Sequence, residues 1–114
     1  MPIDKSLLTG STTMLILKLV EETDMYGYQM IEELNRKSNN VFELKAGTLY
    51  PLLHTLEQKD MLTSYEKVTD NARIRKYYSI TKKGRKYLQE KATEWQTYTA
   101  AVNSVLGGVN FATA

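Results

Sequence analysis

Three amphipathic helical segments, two tyrosine-rich alternating segments and one long closing helix follow one another in the chain. That order predicts a mainly α fold with a small β-hairpin: a winged helix-turn-helix plus a C-terminal dimerisation helix. A chain of 114 residues without cysteine fits one domain, and it excludes disulfides, thiolate catalysis and cysteine-ligated metal. The longest apolar run, Met14 to Val20, contains Lys18. It is far too short to span a bilayer and lacks the layout of a signal peptide, so a cytoplasmic protein without a membrane partner is expected.

Residues 6–22, SLLTGSTTMLILKLVEE, read as the first helix, with Ser6 as cap and Glu21 and Glu22 closing the apolar pattern. Gly10 and three threonines weaken its propensity, so packing must hold it. TDM follows as a turn. Residues 26–38 form the second helix, with Met30, Ile31 and Leu34 on one side and Glu32, Glu33 and Arg36 on the other. Asn39-Asn40 favours a turn, after which Val41, Phe42 and Leu44 plug the core.

The third helix lies in residues 45–61, KAGTLYPLLHTLEQKDM. Leu49, Leu52, Leu53 and Leu56 keep the i, i+3, i+4, i+7 spacing of a buried side. Pro51 then faces outward, and Asp60 stands where the helix unwinds. Residues 62–68 and 75–80 alternate and are rich in tyrosine and β-branched residues, with the turn formers Asp70 and Asn71 between them. They predict a hairpin with a long tip. Thr81 caps a last helix that runs to Gly107-Gly108, and the uncharged tail VNFATA frays. The winged-helix DNA-binding domain is therefore assigned to residues 1–80, and the dimerisation helix and tail to residues 81–114.

The outer side of the third helix carries Gly47, Thr48, Pro51, His54, Thr55 and Gln58, with no acid and no bulky apolar group. Solvated helix sides usually carry Lys, Glu and Arg, as the second helix does. Small and neutral hydrogen-bonding residues suit a backbone that approaches a duplex closely, with Thr48, Tyr50, His54, Thr55 and Gln58 able to bond phosphates or base edges. Lys45 stands at the positive end of the helix dipole, where a phosphate fits.

Charge is uneven although the net is only +2. Residues 45–91 carry eleven basic and five acidic side chains, against four and seven in residues 1–44. Arg73, Arg75 and Lys76 cluster at the hairpin tip, with Lys67 on the facing strand. A blunted edge strand explains one or two such charges, whereas a clamp on the DNA backbone explains the run. His54 is the single histidine, so neither a metal site nor a nucleophile–base–acid set can be assembled, and no glycine-rich phosphate loop is present. No cofactor and no enzymatic activity are expected.

On the last helix, Leu88, Trp95 and Val102 repeat at seven residues, with Ala92, Thr99 and Leu106 on the same stripe. This stripe is the expected homodimer interface. Trp95 is either an aromatic of the dimer core or the wall of a cavity for a flat hydrophobic effector.

The stretches GTLYPLLHTLEQKDM, MYGYQMIEEL and RKYYSITKKGRKYL together resemble the PadR family of bacterial transcriptional regulators, from about Leu7 to about Leu88. The start LTGSTTMLILKLV is similar to that family's first helix. The resemblance implies a homodimeric repressor on a palindromic operator, dimerised by its C-terminal helix. The single short C-terminal helix is similar to the smaller subgroup, whose members often respond to small aromatic or drug-like molecules, control transporter or detoxification genes, and repress themselves. Family DNA contacts carry over onto Thr48, Tyr50, Arg75 and Lys76. Lys45 and Ala46 depart from the usual Ser-Pro, Asp60 replaces the usual Gly, and the tip TDNARI lacks the common Gly-Arg-Pro. The rival reading is a winged-helix protein–protein adaptor that never touches DNA. A basic wing beside an acid-free third helix favours DNA.

Overall fold

Hydrophobic periodicity becomes seven elements in the computed structural model, which describes residues 11–107. They are α1 (Thr12–Glu22), β1 (Met25–Tyr26), α2 (Gly27–Lys37), α3 (Ala46–Gln58), β2 (Leu62–Val68), β3 (Ile74–Ile80) and α4 (Lys82–Leu106). The expected start of the first helix at Ser6, and the tail after Gly107, lie outside the described residues. Ile16, Leu17 and Val20 of α1, Met30 and Leu34 of α2, and Leu49, Leu53 and Leu56 of α3 form one core with Leu62, Tyr78 and Ile80 of the sheet.

The sheet has three antiparallel strands in the order β1-β3-β2, not the two of a bare hairpin. Met25 pairs with Tyr78 and Tyr26 with Tyr77. A two-residue strand has no periodicity to read, so TDM looked like turn alone. This strand hands the chain straight into α2, where the Tyr26 amide donates to Gln29 Oε1 at 3.4 Å.

Two core expectations change. Leu52 is half-buried at the edge of the core. Val41 is 44% exposed, and only Phe42 and Leu44 pack inward from that loop. The loop turns at Asn39 and Asn40, with φ of 52° and 64°, a left-handed region that Asn tolerates better than most residues. Asp60 has φ 60° where α3 unwinds, as its sequence position suggested. The Met61 amide then bonds the Leu56 carbonyl at 2.9 Å, closing the helix end.

From there the chain forms the hairpin. Leu62 pairs with Ile80, Tyr65 with Tyr77 and Lys67 with Arg75, so one face carries Leu62, Ser64, Tyr78 and Ile80 and turns toward the helices. The other carries Tyr65, Tyr77, Lys67 and Arg75. Thr81 caps α4, its hydroxyl accepting from the Gly84 amide at 2.9 Å. In α4 only Gly84 and Leu88 are buried. At about 1.5 Å per residue the helix runs on for roughly 27 Å beyond Leu88 without burying another side chain.

Candidate nucleic-acid interface

Burial of Leu49, Leu53 and Leu56 turns the opposite side of α3 to solvent. Gly47, Thr48, Pro51, His54, Thr55 and Gln58 are all exposed there. A side chain added at Gly47 would meet no atom within 4 Å, so this surface is open to an approaching macromolecule. Pro51 removes the bond that the Gly47 carbonyl would receive, and Thr55 Oγ1 donates back to the Pro51 carbonyl at 3.1 Å. Lys45 is the N-cap residue of α3, and its carbonyl receives the Thr48 and Leu49 amides.

Tyr50 ties two sequence motifs together. Its ring lies so close over Gly27 that a Cβ there would sit 2.5 Å from the hydroxyl oxygen. Glycine at the start of α2 therefore makes room for the tyrosine of α3. Tyr50 stays 48% exposed, on the rim of a cleft of about 480 Å³ between α3 and the wing. Tyr26, His54, Glu57, Arg75 and Lys76 also line it. Gly27→Ala should dislodge Tyr50 while costing little stability, because a half-exposed ring can swing aside. If Tyr50 reads a DNA target, as the sequence suggested, affinity for that duplex is expected to fall about tenfold, with unfolding free energy changed by less than about 1 kcal/mol. Fluorescence anisotropy and urea titration measure the two.

The wing separates its three basic residues. Arg73 is exposed at the tip, and its carbonyl accepts from the Thr69 amide at 2.8 Å. Arg75 stacks on the Tyr26 ring at 4.4 Å. Beside it Lys67 lies over Tyr77 at 5.2 Å, and Tyr77 meets Tyr26 edge-on and stacks with Tyr65. The Tyr65 hydroxyl donates to Asp24 at 2.6 Å, which holds its pKa above the ordinary tyrosine value. A ladder of rings thus stiffens the wing and orients its cations.

Lys76 faces the other way. Its ammonium pairs with Glu57 of α3 at 3.1 Å and lies over the Tyr78 ring. Sequence reading grouped it with Arg73 and with its neighbour Arg75 at the hairpin tip. Strand alternation sends the two neighbours to opposite faces, and Glu57 meets the second. Glu57 also accepts from Ser64 Oγ at 2.7 Å, and that bond, reinforced by Lys76, holds its carboxyl below the usual range.

The expected stripe on α4 does not stay together. Leu88 is buried within the protomer, packed in the same core as α1. Ala92, Thr99 and Val102 are half-buried, and Trp95 and Leu106 are each 42% exposed. Thr99 Oγ1 bonds back to the Trp95 carbonyl at 2.9 Å. The apolar surface instead gathers on Tyr98, Ala101, Val102, Val105 and Leu106, which line an apolar hollow of about 300 Å³. Tyr98, Ala101 and Val105 escaped the heptad because its phase was set on Leu88, a residue the protomer uses for itself. A 3.6-residue count starting at Tyr98 finds them. Among the described residues no three His, Cys, Asp or Glu side chains gather to hold a metal ion. No described helix is long and apolar enough to cross a membrane.

Known proteins resemble this chain in sequence and in fold. An uncharacterized protein of Lysinibacillus sphaericus is 33% identical over 103 residues, 90% of this chain and 94% of its own. The transcriptional regulator Rv3488 of Mycobacterium tuberculosis is 33% identical over 93 residues, 82% of this chain and 80% of its own. A solved transcriptional regulator from Clostridium thermocellum superposes with a TM-score of 0.79 at 30% identity, covering 87% of this chain and 96% of its own. A PadR-like transcriptional regulator from Bacillus cereus gives 0.79 at 29% identity, over 89% and 96%. The sequence profile of the Transcriptional regulator PadR-like family matches residues 16–90. The chain belongs to that family of winged-helix DNA-binding regulators, which are not enzymes.

Proposed function

We propose that this chain is a cytoplasmic, ligand-responsive repressor that binds a palindromic operator as a homodimer. The observation that carries the reading is the exposed face of α3 from Gly47 to Gln58 beside a wing with Arg73 exposed at its tip and Arg75 stacked on Tyr26 in the cleft between them. In this reading Thr48, Tyr50 and His54 meet base edges and nearby phosphates in the major groove. Lys45 takes a phosphate at the start of α3, Arg73 and Arg75 hold the flanking backbone, and Lys76 joins them on the operator. The apolar end of α4 pairs with its copy, which spaces two α3 helices for adjacent half-sites. Trp95, 6.1 Å from Tyr98 between ring centres, offers a surface for a flat aromatic effector at that seam.

A salt titration of binding to the DNA upstream of the chain's own gene tests this. Arg75→Ala should weaken binding to operator and arbitrary DNA alike, and reduce the log–log salt slope by about 0.9. An unchanged slope would reject the wing as a phosphate clamp. Wild-type protein that binds no duplex even at low salt would favour the adaptor reading.

A further inference from the structure

An acid stands in the cleft that faces DNA. Among the described residues lining the space between α3 and the wing, Glu57 alone is acidic, with His54, Arg75 and Lys76 around it. Both of its oxygens are engaged: Oε1 lies 3.1 Å from Lys76 Nζ, and Oε2 accepts from Ser64 Oγ at 2.7 Å. The carboxylate thus joins α3 to both wing strands at once. Glu66 stands directly across the strands from Lys76 on the same sheet face, yet the ammonium pairs with Glu57 and lies over the Tyr78 ring. Binding to arbitrary DNA is almost wholly phosphate neutralisation with counterion release. A lysine already paired with a carboxylate gains little from that process, and the carboxylate itself repels phosphate.

We propose that Glu57 is a specificity-determining residue, which withholds Lys76 from phosphate on arbitrary DNA and releases it only on a duplex that fits α3. Non-specific affinity is thereby lowered by one cation while the base-reading face is left intact, so the ratio of specific to non-specific binding rises. The inference rests on the DNA-binding reading above. The ion pair is partly open to solvent, with 54% of the Lys76 side chain and 26% of the Glu57 side chain exposed. A fitting phosphate can therefore break it at modest cost.

Glu57→Gln isolates the effect, because the amide oxygen still accepts from Ser64 while the charge is gone. On a random-sequence duplex at low salt, affinity should rise about three- to tenfold and the log–log salt slope should steepen by about 0.9. The double variant Glu57→Gln with Lys76→Ala, which carries no net charge here just as the intact ion pair carries none, should return to the wild-type slope. Thermal melting accompanies each variant to confirm folding. A Glu57→Gln slope equal to wild type overturns the inference, as does weaker binding with no change in slope, which would make Glu57 a structural tie only. A double variant that keeps the steep slope also overturns it, because the gain would then come from removing the acid and not from freeing Lys76. Wild-type protein that binds no duplex overturns the DNA reading and this inference together. Wild type that binds, with Glu57→Gln indistinguishable from it, removes this inference alone.

Discussion

Val105→Asp is expected to convert a dimer into a monomer at micromolar concentration and to cut operator affinity by roughly 100-fold or more. Val105 is 88% exposed at the end of α4, in an apolar set with Tyr98, Ala101, Val102 and Leu106. A carboxylate at the centre of a paired apolar strip loses its water without gaining a partner, which costs several kcal/mol if the strip is covered. If the strip is not covered, the same change is almost silent, because an 88% exposed side chain contributes little to the protomer's own packing. The loss on DNA follows from geometry. Two linked reading helices bind two half-sites with the second contact made effectively intramolecular, and a monomer forfeits that gain. Sedimentation velocity and anisotropy on one operator fragment check both halves. Trp95 supplies a third readout: quenching of its emission by planar aromatic compounds should disappear with the dimer if two copies build the effector site. A Val105→Asp protein still dimeric at micromolar concentration would place the interface elsewhere.

What could be read from the residues followed the strength of their periodicity. Four leucines in α3 fixed which side faces solvent, so the exposed set from Gly47 to Gln58 was visible without coordinates. Turn chemistry located Asn39-Asn40, Asp60 and the Thr81 cap, because few residues serve those backbone conformations. Long-range neighbours were not visible. Gly27 and Tyr50 each looked like separate motif residues, and only the approach of α3 to α2 shows that one makes room for the other. Glu57 drew no attention because its partners, Ser64 and Lys76, come from two strands that the sequence does not place against α3. The stripe read on α4 divides for a related reason. A heptad read from Leu88 assumes that the whole helix faces one partner, whereas Leu88 packs into the protomer's own core and no residue after it in α4 is buried.

Gly84→Val is expected to lower unfolding free energy by about 3 kcal/mol or more, and the melting temperature by roughly 10–20 °C. The cause is backbone, which cannot yield as a side-chain tip can: a Cβ at Gly84 would collide with the Met61 carbonyl oxygen and crowd Ile80. The surrounding joint is closely bonded. The Thr81 amide donates to that same Met61 carbonyl at 3.1 Å, Thr81 Oγ1 donates to the Asp60 carbonyl at 2.7 Å, and the Gly84 amide donates to Thr81 Oγ1 at 2.9 Å. The start of α4 is therefore fastened to the end of α3, with glycine permitting the close approach. This joint has a functional meaning under the dimer reading. The DNA-reading helix and the pairing helix leave from one rigid corner, so their angle sets the distance between the two α3 copies. A partly folded Gly84→Val protein should consequently lose operator affinity more than affinity for arbitrary DNA, because misaligned half-sites penalise only the former. Gly47→Ala is the matched control. With no atom within 4 Å of the added carbon, it should gain about 0.5–1 kcal/mol from helix propensity instead of losing stability. Urea midpoints for the two variants decide the matter, and a Gly84→Val midpoint equal to wild type would refute a closed joint at the base of α4.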